Sequence, residues 1–229
     1  MFDFNKLNLK IIQSKDTLIK DIKKIETYAP LIIVYEKSTL ENIWKDLPNS
    51  DILKSRIKSD KDYYSTNLHN KLNTPLVFIK FNRSENNRFK ELTNIKNALK
   101  QHFDSEINTA NVYINLKNKQ DEYDISEGII SFLGCKYNPM PSFVKDKKAT
   151  KTNSSFTITF YNLQNKHDFS RPVAESHGTS LARYLAMMPP NLLTPKTYVQ
   201  EINKLASQYK FKKTFYGHKQ LEKLNAGAF

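Results

Sequence analysis

Residues 31–36 read "LIIVYE". Leu31, Ile32, Ile33, Val34 and Tyr35 follow Pro30 without a polar break. A strand with one wet face alternates apolar and polar residues. An unbroken run is dry on both faces, as the strands of a largely parallel sheet are. Such a sheet needs helices above and below it, so this run predicts an α/β layered domain. Other stretches agree. "TPLVFIKF" (74–81) and "NVYINL" (111–116) are similar runs, "LNLKII" (7–12) alternates and carries branched residues, and "SFTITFYN" (155–162) sets aromatic or aliphatic residues against threonines. The last is expected to be a strand with one wetter face.

Helical periods lie between these runs. "STLENIWKDL" offers Ser38 as a cap and places Leu40, Ile43, Trp44 and Leu47 on one face. Residues 88–103 place Phe89, Leu92, Ile95, Leu99 and Phe103 on a stripe, and 123–137 do the same with Ile125, Ile129, Phe132 and Leu133. "NPMPSFVKDKKATKTN" (138–153) reads as an exposed loop, and "QNKHDFSRP" (164–172) as a second break. A domain boundary is expected near residue 165.

Beyond it comes a helix from Val173 to Met188, with Ala174, Gly178, Leu181, Leu185 and Met188 on one face. Pro172 suits a first turn. Pro189 ends the helix, because a proline drives its predecessor out of α geometry. Thr194 and Pro195 then read as N-cap and first residue of the next helix. That helix is expected to bury Tyr198, Ile202, Leu205 and Tyr209, with Val199 and Ala206 beside them. "FKKTFYG" (211–217) alternates like a strand, and "HKQLEKLNAG" (218–227) reads as a short helix that Gly227 caps.

The 229 residues are 39% hydrophobic and 12% aromatic, with a mean hydropathy of −0.61: polar, yet able to build a core. No stretch approaches the ~20 apolar residues of a membrane span, and the N-terminus lacks a signal-peptide pattern. The single cysteine, Cys135, permits no intrachain disulfide. A cytoplasmic protein is expected. The formal net charge is +13. Only five of the 36 basic residues are arginines, the lysines are scattered, and asparagine is abundant. That is the signature of an AT-rich coding sequence more than of a nucleic-acid face, which favours the planar fork of arginine.

The chemistry-bearing residues form no motif. The five glycines are Gly128, Gly134, Gly178, Gly217 and Gly227, so the first half of the chain has no phosphate loop or dinucleotide fingerprint. His69, His102, His167, His177 and His218 show no metal spacing. His167 and Asp168 form a loop dyad without a nucleophile. Cys135 reads as a small buried hydrophobe. Asp121, Glu122, Asp124 and Glu127 gather around a helix start, where the dipole accounts for them. Arg183 is expected to pair with a carboxylate at the domain junction. No catalytic, cofactor-binding or metal-ligating residue is assigned in this chain.

Residues 177–229 nevertheless resemble the linker helix and opening βα unit of the leucyl (cytosol) aminopeptidase family. The shared positions are Ala182, Arg183, Leu185, Pro189, Pro190, Asn191, Leu193, Thr194, Pro195, Tyr198, Leu205 and Ala206, then Leu221, Leu224, Gly227 and Ala228. "LNAGAF" resembles the family's segment before its next strand, and "SEGIISFLGCKYNPMPSFVKDKK" (126–148) resembles more loosely a family helix and loop. Residues 1–120 match in layout alone. Met187 stands where many members carry Asn.

The resemblance implies a three-layer α/β/α N-terminal domain with a mixed, macro-domain-like sheet over 1–165. A linker helix over 166–190 and the start of a catalytic peptidase domain over 191–229 would follow. It implies a cytosolic, hexameric aminopeptidase that releases N-terminal residues from peptides with two divalent metals (zinc, manganese or magnesium). The family's ligands and catalytic residues lie beyond the "AGAF" segment, so the chain is expected to be an N-terminal piece, inactive alone. The uncovered apolar faces expected around 211–217 and the apolar Ala228-Phe229 point the same way. Two rival readings are a DNA-binding or regulatory domain and an ADP-ribose-type ligand-binding domain.

Overall fold

The computed structural model describes residues 4, 6–15, 29–44, 47, 49–57, 61–68, 70–82, 87–100, 103, 107–141, 143 and 155–227. Six strands form one sheet: β1 (Asn8–Gln13), β2 (Leu31–Tyr35), β3 (Tyr63–Asn67), β4 (Pro75–Lys80), β5 (Thr109–Asn115) and β6 (Ser155–Tyr161). The helices are α1 (Leu40–Trp44), α2 (Ser50–Arg56), α3 (Arg88–Lys100), α4 (Lys119–Tyr137), α5 (Ser170–Met187), α6 (Pro195–Tyr209) and α7 (His218–Lys223). The chain divides into two compact units, Phe4–Arg183 and one that takes in Tyr184–Phe229.

In the first unit the sheet order is β1-β6-β5-β2-β4-β3. The β1–β6, β6–β5, β5–β2 and β2–β4 pairs are parallel, and β3 runs antiparallel to β4. The run that opened the sequence is the central strand. Leu31 sits opposite Leu76 on one side and Asn111 on the other, and all five β2 residues are buried. Its side chains divide between two cores. Ile32 and Val34 join Ile95 and Leu99 of α3 and Ile125, Ile129 and Leu133 of α4. Leu31, Ile33 and Tyr35 join Ile43, Trp44 and Leu53 of α1 and α2. Helices therefore cover both faces of a mixed sheet, as the dry run requires.

Several local expectations need correction. β3, "YYSTN", and α2 are elements that no hydrophobic period announced. β3 is an edge strand with one neighbour, so it needs no two-faced apolar run. Ser38 does not cap α1: its hydroxyl turns back to the Glu36 carboxylate at 3.4 Å, while Thr39 donates to the Asn115 carbonyl at 2.8 Å. On α3, Phe89 is 79% exposed, and only Ile95, Ala98 and Leu99 reach the sheet. α4 begins four residues before the expected 123, because the Asn118 carboxamide accepts the Gln120 amide at 2.8 Å and caps it there. The expected 138–153 loop lies mostly outside the described residues.

α5 turns a different face inward than its larger apolar residues suggest. Ala174 and Gly178 are exposed, and Ser176, Ser180 and Tyr184 are buried. The reason is close approach: an ideal Cβ on Gly134 of α4 would stand 2.7 Å from the Ser176 hydroxyl. Two large side chains do not fit at that spacing, so glycine and serine take the seam.

In the second unit α6 follows its start signal. The Thr194 hydroxyl accepts the Thr197 amide at 3.3 Å, and Pro195 opens the helix. The expected buried stripe is only partly so: Ala206 is buried, while Tyr198 and Tyr209 are 44% and 57% exposed. Residues 211–217 form no strand. A strand needs a partner for its backbone groups, and none pairs with them among the described residues. α7 ends at Lys223, and the left-handed residue after it is Asn225 (φ 52°) rather than Gly227.

Candidate functional site

β2 is followed by helices on one face of the sheet, and its neighbours β4 and β5 by helices on the other. Open α/β sheets form a ligand crevice where the connections part in this way, at the carboxyl ends of the strands. A cleft of about 220 Å³ lies at this end of β4, bounded by the first turns of α3 and α4. Its chemistry comes from Asp62, Lys80, Arg88, Asn94, Asp121 and Asp124.

The antiparallel edge builds one wall. The Lys80 amide donates to the Asp62 carbonyl at 2.8 Å, which sets these two residues side by side across β3 and β4. Asp62 accepts from the Asn94 carboxamide at 3.1 Å. Its charge also reaches the sheet: the Tyr35 phenol is raised above its ordinary value, first by burial and then by the Asp62 carboxylate. The ammonium of Lys80 has no hydrogen-bond or ion-pair partner among the described residues. Arg88 is occupied, with one guanidinium nitrogen on Glu91 (2.9 Å) and another on Glu127 (2.8 Å) and the Asp124 carbonyl (2.9 Å). The Asp124 carboxylate takes the Gln120 carboxamide at 2.9 Å.

A second polar cluster ties the β6–α5 connection to α4. Glu122 is fully buried. Its carboxylate accepts the Gln164 amide at 3.2 and 3.3 Å and lies 3.5 Å from His167 Nε2. The Gln13 carboxamide clasps the His167 backbone, donating at 2.7 Å and accepting at 2.9 Å. The imidazole packs among Tyr123 and Phe169. Burial raises the Glu122 carboxyl above its ordinary value, against the opposing pull of the Gln164 amide and His167.

The structure thus regroups the residues that the sequence singled out. His167 faces Glu122, while Asp168 holds the Ser170 amide at 2.9 Å, which lowers its carboxyl. His167 and Asp168 are no dyad. Asp121 and Glu122 do occupy the first turn of α4, yet both are buried and Glu122 fastens a loop. Among the described residues Arg183 meets no carboxylate. It donates to the Cys135 carbonyl at 2.7 Å, one of the orphan acceptors in the last turn of α4. The Cys135 thiol is half-buried, 3.7 Å from the Ser176 carbonyl. His177 Nε2 lies 3.1 Å from the Leu7 carbonyl, and burial, then Lys6, holds its pKa below the ordinary value. His218 meets Glu222 at 3.2 Å on the surface. His69 and His102 lie outside the described residues.

Asp62 and Lys80 escaped the sequence reading. Lys80 carries the one available signal, a charge at the carboxyl end of a dry strand. Asp62 carries none until β3 is known. Among the described residues no three His, Cys, Asp or Glu side chains converge as metal ligands. No described helix is long and apolar enough to cross a membrane.

No family model and no curated protein matches the chain. Solved structures do. A tomato leucine aminopeptidase mutant has a TM-score of 0.66 at 13% identity, covering 98% of this chain and 47% of its own. A cytosol aminopeptidase from Coxiella burnetii gives 0.54 at 12% identity, with 93% and 41% covered. A leucyl aminopeptidase from Trypanosoma cruzi gives 0.52 at 16% identity, with 89% and 41% covered. The likeness is one of fold, and the chain spans less than half the length of each neighbour.

Proposed function

We propose that this chain is the N-terminal part of a cytoplasmic, metal-dependent aminopeptidase that removes N-terminal residues from peptides. The observation that carries the reading is a fold shared with a leucine aminopeptidase over 98% of this chain but 47% of that one. The "PPNLLTP" joint and the "LNAGAF" segment add a sequence pattern similar to that family's. The second unit adds a physical reason: Tyr198, Tyr209, Phe211, Phe215, Tyr216 and Leu224 are 44–68% exposed. An aromatic surface of this kind calls for a cover, and a peptidase domain built onto it would supply one.

On this reading residues 1–165 are an accessory α/β domain, 166–190 a linker helix, and 191–229 the opening of the peptidase domain. The two metals and the hexameric assembly belong to the whole enzyme. This chain's part is structural, presenting α6 and the segment after it to the rest of that domain. The test is hydrolysis of leucyl p-nitroanilide by the purified 229-residue chain with Zn²⁺, Mn²⁺ or Mg²⁺. No turnover is expected, and robust metal-dependent turnover would overturn the reading.

A further inference from the structure

We propose that the cleft beyond β4 binds a small zwitterion with the size and charge pattern of a free amino acid. The ligand's carboxylate would sit on Lys80, and its ammonium against the carboxylate wall of Asp62 and Asp124.

Asp62 and Lys80 are cross-strand neighbours of opposite charge, held in register by the Lys80 amide on the Asp62 carbonyl at 2.8 Å. Opposite charges at such positions ordinarily pair with each other. Here they do not: Asp62 turns to Asn94 at 3.1 Å, and the Lys80 ammonium has no partner among the described residues. Both line the cleft. Two opposite charges side by side and not joined match a ligand that carries both signs on neighbouring atoms.

The remaining lining narrows the class. Arg88 is neutralised by Glu91 and Glu127, so it has little to offer an anion. Asp62, Asp121 and Asp124 then share the cleft with Lys80 and Lys90. A phosphate dianion would meet three aspartates in a confined space, and repulsion there is screened less than on an open surface. The cleft, of about 220 Å³, has room for a small ligand. A simple amine would leave Lys80 unmet, and a simple carboxylate would leave the aspartates unmet. The cleft also lies at the carboxyl end of β4, the end of the strands at which open α/β sheets hold ligands.

The proposal does not rest on the aminopeptidase reading, and its test is separate. Amide shifts of ¹⁵N-labelled 229-residue chain are followed during titration with L-leucine, 3-methylbutylamine, 4-methylpentanoate and ADP-ribose. Leucine is expected to shift residues 62, 80, 94 and 124 saturably, with a Kd on the order of 1 mM. The amine and the acid, each with half of the charge pattern, are expected to bind about tenfold more weakly or worse. Asp62→Asn and Lys80→Met should each weaken leucine binding by about the same factor; if one fails to fold, the other decides. The proposal is overturned if leucine leaves these amides unmoved, if the amine or the acid binds as well, if ADP-ribose binds more tightly, or if binding survives both substitutions.

Discussion

Removing the Glu122 carboxylate should release the β6–α5 connection from α4, and the cost can be worked from its contacts. The side chain is 1% exposed and accepts the Gln164 amide at 3.2 and 3.3 Å. Glu122→Ala leaves that amide without its acceptor, at about 1–3 kcal/mol, and empties the space beside the His167 ring. A total loss of about 2–4 kcal/mol is expected. Glu122→Gln keeps an acceptor oxygen, so it should cost less than about 1.5 kcal/mol near neutral pH. Trp44, the only tryptophan, is 4% exposed and lies in the same unit, so its fluorescence in a urea titration reads the right transition.

The pH dependence adds a second arm. Burial raises the folded Glu122 carboxyl above the ordinary 4.5. The folded state therefore binds the proton more tightly than the unfolded chain does. Its stability falls as pH rises from about 4.5 through the raised value. Glu122→Gln lacks that titration, so the wild type should lose ground to it across this window. The reasoning is refuted if Glu122→Ala stays within about 0.5 kcal/mol of wild type, or if the wild type gains on Glu122→Gln as pH rises from 4.5.

Other outcomes can be checked in the same way. Gly134→Ala and Gly178→Ala are the same change within two helices, yet they should have opposite signs. The first drives a methyl to 2.7 Å from the Ser176 hydroxyl and should cost about 1–3 kcal/mol. The second meets nothing within 4 Å and should gain about 0.5–1 kcal/mol by thermal or urea unfolding. His177 is held below the ordinary 6.5 by burial and Lys6, so it favours the fold above pH 6.5 and opposes it as pH falls through that value. His177→Gln should flatten this part of the profile, and the imidazole should titrate below 6.5 by NMR. Thr194→Ala removes the cap of α6 and should cost about 1 kcal/mol, seen as faster amide exchange in the first turn after Pro195.

Five of the six strands expected from the sequence appear, each paired with a neighbour in the sheet, while the sixth, at 211–217, does not form. What escaped was set by other forces. β3 pairs through backbone groups at an edge, where tyrosine, serine and threonine serve as well as leucine. Phe89 follows the helical period of α3, but α3 meets the sheet only from Ile95 onward, and period alone does not say how long a contact is. The seam of Gly134 against Ser176 was hidden because hydrophobic periodicity favours large apolar residues, whereas close helices select small ones. The cleft was invisible for a related reason. Asp62 and Lys80 lie 18 positions apart in the sequence, and only the β3–β4 pairing brings them together. By contrast, the Thr194-Pro195 start was legible because a cap acts within three residues of itself.

Whether the chain is the front part of a longer peptidase is decided by one assay. The reading frame is expressed beyond codon 229, and its product is tested on leucyl p-nitroanilide with Mn²⁺ and Zn²⁺, beside the 229-residue chain. Metal-dependent turnover is expected from the longer product and none from the shorter. A frame that closes at Phe229, or a longer product that leaves the substrate intact with either metal, would contradict that expectation.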